Sequence, residues 1–137
     1  MNGEKRIHLD LGELHDIVSL KVNGKSVGVD WYPPYEYDIT DLLKSGTNLF
    51  ELDVTNNWAN RLIGDEQAPA DFEWGADRGN KGRAMKAFPD WFIKDQPRPS
   101  QDRKAFLLWY YHHKDSKLNP AGMIGPVQLV FKSFKQL

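Results

Sequence analysis

Five residues whose types suit ligand recognition fall within nine positions of one another: Trp58, Asn60, Arg61, Asp65 and Glu66. An indole offers a flat apolar face to the C-H side of a ring. Guanidinium, amide and carboxylate groups are planar and can each hold two neighbouring hydroxyls in a fixed fork. Together they suit a ligand with an apolar ring face and several hydroxyls, and they lie just beyond the end of an expected strand. The same residues have a plainer reading, in which Arg61 pairs with Asp65 or Glu66 to pin a loop, or in which the segment docks on another protein surface. Tyr35, beside the double proline Pro33-Pro34, joins the candidate list as a further aromatic platform.

Catalysis is harder to build from these side chains. Glycoside cleavage needs two carboxyl groups roughly 5 to 10 Å apart across a cleft. Asp65 and Glu66 are adjacent in sequence and do not face each other across a bond. The chain has no Gly-x-Ser-x-Gly elbow, no phosphate-cradling glycine loop and no HExxH pair. The reading is therefore of a domain that is not itself an enzyme. His112-His113 invites a metal, but neighbours on a strand point to opposite faces. No cofactor is expected. A structural calcium ion is compatible with the scattered loop Asp and Asn residues, although no spaced acidic run names its ligands.

The elements that must position these groups follow from hydrophobic periodicity. Ile7, Leu9 and Leu11 alternate with polar residues, as do Val18, Leu20 and Val22, and then Phe50, Leu52 and Val54. Period two marks half-buried strands. Asn23-Gly24 between two such runs predicts a type I′ hairpin. Its returning strand would carry Val27, Val29 and Trp31 inward until Pro33-Pro34 ends it. Thr40 or Asp41 is expected to cap one helical turn bearing Leu42 and Leu43, with Gly46 as a left-handed exit. Residues 57–103 show no clean periodicity, so a long irregular excursion is expected there, functional, partly helical or partly disordered, in which Trp74 and Trp91 either pack or meet a partner. Ala105 to Tyr111, apolar on both faces, reads as a central strand, and Val127 to Phe131 as the last one.

Six such strands argue for a single all-β module over residues 1–137, an antiparallel sandwich of jelly-roll type. A jelly roll closes with eight strands, so a seventh is expected only if something in the excursion pairs, and one or two are expected to be missing from the start. An open sheet edge should then be covered by a loop or by a strand-mediated homodimer.

Composition sets the outer limits. With 18 basic and 19 acidic side chains in 137 residues, the chain lacks the basic footprint of a nucleic-acid binder. Its longest apolar run, Ala105 to Tyr111, is far too short for a membrane helix, and no signal-peptide pattern opens the chain. The absence of cysteine excludes a disulfide scaffold and says nothing about compartment.

The stretch VNGKSVGVDWYPPYEYDITDLLKSGTNLFELDVTNNW, Val22 to Trp58, resembles the sugar-binding jelly-roll module of glycoside hydrolase family 2 and its relatives. The continuation NRLIGDEQ, Asn60 to Gln67, with LNPAGMIGPVQLVF near the end, is similar to the C-terminal galactose-binding-like module of bacterial α-L-rhamnosidases of glycoside hydrolase family 106. The resemblance implies an accessory module of an exported, periplasmic or extracellular glycoside hydrolase, with carbohydrate or the parent's catalytic domain as partner. The competing expectation is a protein-interaction module that uses an open sheet edge and has no sugar affinity.

Overall fold

The computed structural model describes residues 4–79 and 82–134. The chain divides into two compact units, Met1–Asn57 with Pro120–Leu137, and Trp58–Asn119.

The first unit is an antiparallel β-sandwich. Strands β1 (Glu4–Asp10), β5 (Glu36–Asp38) and β10 (Gln128–Phe134) form one sheet in the order β10-β1-β5. Strands β3 (Ile17–Val22), β4 (Lys25–Asp30) and β6 (Phe50–Thr55) form the other, in the order β4-β3-β6. A short ladder joins β2 (Glu13–His15) to β9 (Gly122–Gly125). Alternation fills the space between the sheets with Leu9 and Leu11 from one side, Val18, Leu20 and Val22 from the other, and Leu14, Tyr35, Tyr37 and Ile39. Burying each of these side chains contributes roughly 1.5 to 3 kcal/mol, which makes this cluster the main source of the unit's stability.

The hairpin forms where the Asn-Gly pair predicts it. Asn23 has φ 51° and Gly24 φ 79°, the left-handed pair that a type I′ turn requires. The Asn23 side chain also donates to Leu42 O and accepts from Leu49 N, so one residue turns the hairpin and anchors the segment before β6. The helical turn is a 3-10 turn, Thr40–Leu42, but neither Thr40 nor Asp41 caps it. Asp38 does the local work, accepting from the Thr40 N–H and hydroxyl at 3.0 and 2.6 Å.

Trp31 does not point inward. It is 71% exposed, because the pairing of β3 with β4 slips by one residue between Lys21↔Ser26 and Leu20↔Gly28. Val27 is the extra residue of a bulge, and a one-residue slip sends every later side chain to the opposite face. Gly28 and Asp30 take the inward phase, while Val29, opposite Ser19, is 63% exposed.

In β10, Leu129 and Phe131 lie opposite Leu9 and Ile7, on the core-facing side of their sheet, yet they are 49% and 73% exposed. Among the described residues no strand pairs with the free side of β10.

The second unit holds helix α1 (Ala59–Gln67), the two-residue ladder of β7 (Arg83–Ala84) with β8 (Trp109–Tyr110), and the short helix α2 (Asp90–Ile93). The excursion is thus partly helical, one of the forms expected of it. Ala105 to Tyr111 is not a central strand, since only Trp109 and Tyr110 pair in a ladder. Phe106 instead enters an aromatic cluster, 4.8 Å from Phe92 and 5.5 Å from Trp91 between ring centres. Trp74 packs against Phe72 and Tyr110, and Trp91 donates its indole N–H to Asp71 O.

Candidate functional site

The residues from Trp58 to Glu66 lie on α1 and its first flanking position, and the helix sorts them into two groups. Asp65 and Glu66 are each 3% exposed. The Asp65 carboxylate accepts the backbone N–H groups of Lys104 (2.9 and 3.0 Å) and Ala105 (2.5 Å), while Arg61 Nη2 donates to it at 3.1 Å. Glu66 accepts the N–H groups of Tyr111 and His112. Asn60 closes a reciprocal pair with Asn119, donating to its carbonyl and accepting from its N–H, each at 2.8 Å. Asp65 and Glu66 thus take up backbone donors on either side of β8, at Lys104 and Ala105 and at Tyr111 and His112, which a longer sheet ladder would otherwise satisfy.

Electrostatics agrees with this geometry. Burial alone would raise the Asp65 carboxyl. The N–H groups of Lys104 and Ala105, with the charges of Arg61 and Arg103, outweigh it and hold the group below its ordinary range. Asp71 behaves likewise, its burial outweighed by Arg98, whose guanidinium grips it at 2.6 and 3.2 Å. Arg103, 2% exposed, lies over the Phe72 ring and donates to Glu66 O and Ala68 O. What remains open to solvent is Trp58, 65% exposed, and the Arg61 side chain, 52% exposed.

Tyr35 belongs to the first unit. It is 4% exposed and its hydroxyl donates to Asp16 O at 2.8 Å, so it presents no free face. Burial, then the charges of Asp16 and Asp30, push its phenol up. Tyr35 forms part of the wall of a cavity of about 290 Å³, which Gly12 to Asp16 line on one side and Trp31 to Pro33 on the other. Trp31 and Tyr32 in this lining are 71% and 63% exposed, with ring centres 5.2 Å apart and planes at 67°. Opposite them His15 Nε2 lies 3.1 Å from Glu13 Oε1. The Asp16 carboxylate accepts Asn57 N–H at 2.7 Å. Periodicity hid this corner, because without the Val27 bulge Trp31 reads as core.

Among the described residues no group of three His, Cys, Asp or Glu side chains is placed to hold a metal ion. Nor is any helix there long and apolar enough to cross a membrane.

No protein-family model matches the chain. A protein of Formosa agariphila named "Putative beta-glucuronidase" is 40% identical over 129 residues, which cover 94% of this chain and 10% of that protein. A solved rhamnosidase from Novosphingobium sp. PP1Y is 29% identical with a TM-score of 0.63, over 96% of this chain and 10% of that one. The chain resembles a small piece of large glycoside hydrolases. It spans about a tenth of the length of each relative, and its fold is the fold of that piece.

Proposed function

We propose that residues 1–137 act as one non-catalytic accessory module of a larger glycoside hydrolase of α-L-rhamnosidase type, periplasmic or extracellular, that binds carbohydrate or braces the catalytic domain. Within that reading the module is a jelly roll of the galactose-binding-like kind found in glycoside hydrolase family 106. The observation that supports the proposal is the similarity of nearly the whole chain to a tenth of a rhamnosidase and a tenth of a protein named as a putative beta-glucuronidase. The geometry of α1 supports the non-catalytic part: its two acids are buried and their oxygens occupied by backbone donors, so neither is free to protonate a leaving group. Trp58 and Arg61 are the exposed members of the α1 patch and would make its carbohydrate or docking contacts, with Asn60, Asp65 and Glu66 positioning them.

The test is affinity electrophoresis of the purified chain on neutral plant and algal polysaccharides, alongside hydrolysis assays with aryl rhamnoside and aryl glucuronide. Retardation without turnover is expected. Turnover by the chain alone would overturn the non-catalytic reading.

A second reading, assembly through the sheet edge without sugar affinity, is favoured by one observation. Among the described residues no strand pairs with the free side of β10, and its side chains Leu129 and Phe131 are left in water, an edge and a face that a strand-mediated homodimer or a docked partner strand would use. A monomer by light scattering at tens of micromolar would count against the dimer.

A further inference from the structure

We infer that the cavity between Trp31-Tyr32 and Glu13-His15 is a binding site for one neutral pyranose ring; this rests on the carbohydrate reading above and gives it a place distinct from α1. Three observations carry it. First, two large aromatic side chains stand adjacent and exposed. The outward phase of Trp31 follows from the bulge at Val27 within an otherwise regular β3-β4 ladder, and Tyr32 follows it in the bend just past the end of β4. An apolar patch held in water by a designed kink is a contact surface.

Second, the cavity has the right size and wall chemistry. At about 290 Å³ it sits at the lower edge of the roughly 300 to 1,000 Å³ of ordinary ligand pockets, which suits one ring rather than an extended chain. The indole meets the C-H face of the ring, and Glu13 and His15, with side chains 57% and 31% exposed, meet its hydroxyls.

Third, charge selects among sugars. The lining includes Glu13 and Asp16, and among the described residues it includes no lysine or arginine. A uronate or sulfated sugar would bring a further negative charge against these two carboxylates with no lysine or arginine in the lining to offset it. A neutral ring meets no such repulsion, and its hydroxyls supply the donors that carboxylates accept.

The experiment titrates the full chain with the methyl glycosides of rhamnose, galactose and glucose and with methyl β-D-glucuronide, read by tryptophan emission and by NMR line broadening of the sugar. A neutral glycoside should bind, Trp31→Ala and Tyr32→Ala should each weaken it about tenfold or more, and thermal midpoints should stay within a degree or two of wild type, as expected for exposed positions. Glu13→Gln provides a readout that general loosening would not move: it should narrow the preference for neutral over anionic glycoside. Binding that survives both aromatic changes but is lost in Trp58→Ala would overturn this site and leave the carbohydrate reading standing. Tighter binding of the glucuronide would overturn the neutral assignment, and no binding of any glycoside by wild type would sink both.

Discussion

Replacing Asp65 with alanine should unfold the second unit at far milder conditions than wild type, and the size of the effect can be worked from its partners. The carboxylate takes two backbone donors, Lys104 N–H and Ala105 N–H. A fully buried donor left without an acceptor costs about 1 to 3 kcal/mol, and these two are only part-buried, so the pair together costs about 1 to 3 kcal/mol. Arg103, 2% exposed, loses one of its compensating charges in the same step. The Arg61 contact adds little, because that guanidinium is half exposed and a surface pair is worth about 0 to 1 kcal/mol. Urea unfolding followed by tryptophan emission is a suitable assay, since four of the five tryptophans, Trp58, Trp74, Trp91 and Trp109, lie in that unit. Asp65→Asn, which keeps one acceptor oxygen, should fall between wild type and alanine, and Arg61→Ala should stay near wild type. If Asp65→Ala shifts stability by less than about 0.5 kcal/mol, or if Arg61→Ala matches it, the account of α1 as the anchor of residues 104–112 is wrong.

Gly12→Ala should be the more damaging of two glycine substitutions. Gly12 has φ +65° and an added Cβ would sit 2.6 Å from Pro126 O, against backbone that cannot yield, so about 2 kcal/mol or more is expected. Gly24 has φ +79° with open space around it, and Gly24→Ala should cost only the left-handed strain of about 1 to 2 kcal/mol. Equal thermal midpoints for the two would refute the crowding at Gly12. Acid should weaken the second unit: Asp65 and Asp71 are held below the ordinary carboxylate range, so their contribution is complete above the unfolded value of about 3.9 and is lost as pH falls through the lower folded values. The stability gap between wild type and Asp71→Asn should therefore close at low pH, and a gap that stays constant would argue against the Arg98 pairing.

Why the first unit was readable and the second was not comes down to where each buries its polar groups. In β1, β3 and β6 the buried face is made of Ile, Leu, Val and Phe at every second position, and the alternation is visible without coordinates. In α1 the buried face is Ile63, Asp65 and Glu66. Two of those three are acids, so no apolar stripe at helical spacing exists to be seen. The segment from Ala105 to Tyr111 misled in the opposite direction: it has the composition of a central strand, but distant carboxylates accept N–H groups at its two ends, at Ala105 and Tyr111. Strands β2, β5, β7 and β9 are two to four residues long, too short for a period to register.

The candidate residues divided in the same way. Residue type alone marked Trp58, Asn60, Arg61, Asp65 and Glu66 as a cluster, and the plainer reading of Arg61 bound to Asp65 is what the helix builds. Nothing in the composition of the stretch around Trp31 distinguishes an inward indole from an outward one, because the difference is one unpaired residue at Val27.

By itself, then, the order of residues determined what depends on neighbours close along the chain: the all-β sandwich, the Asn23-Gly24 turn and the phase of the core strands, since side-chain alternation and backbone φ preferences act over a few residues. Tertiary structure alone decided the exposure of Trp31, the helix at Ala59–Gln67 and the engagement of Asp65 and Glu66. Those outcomes turn on a slipped register between strands and on hydrogen bonds between groups some forty residues apart, for which adjacency in sequence carries no signal.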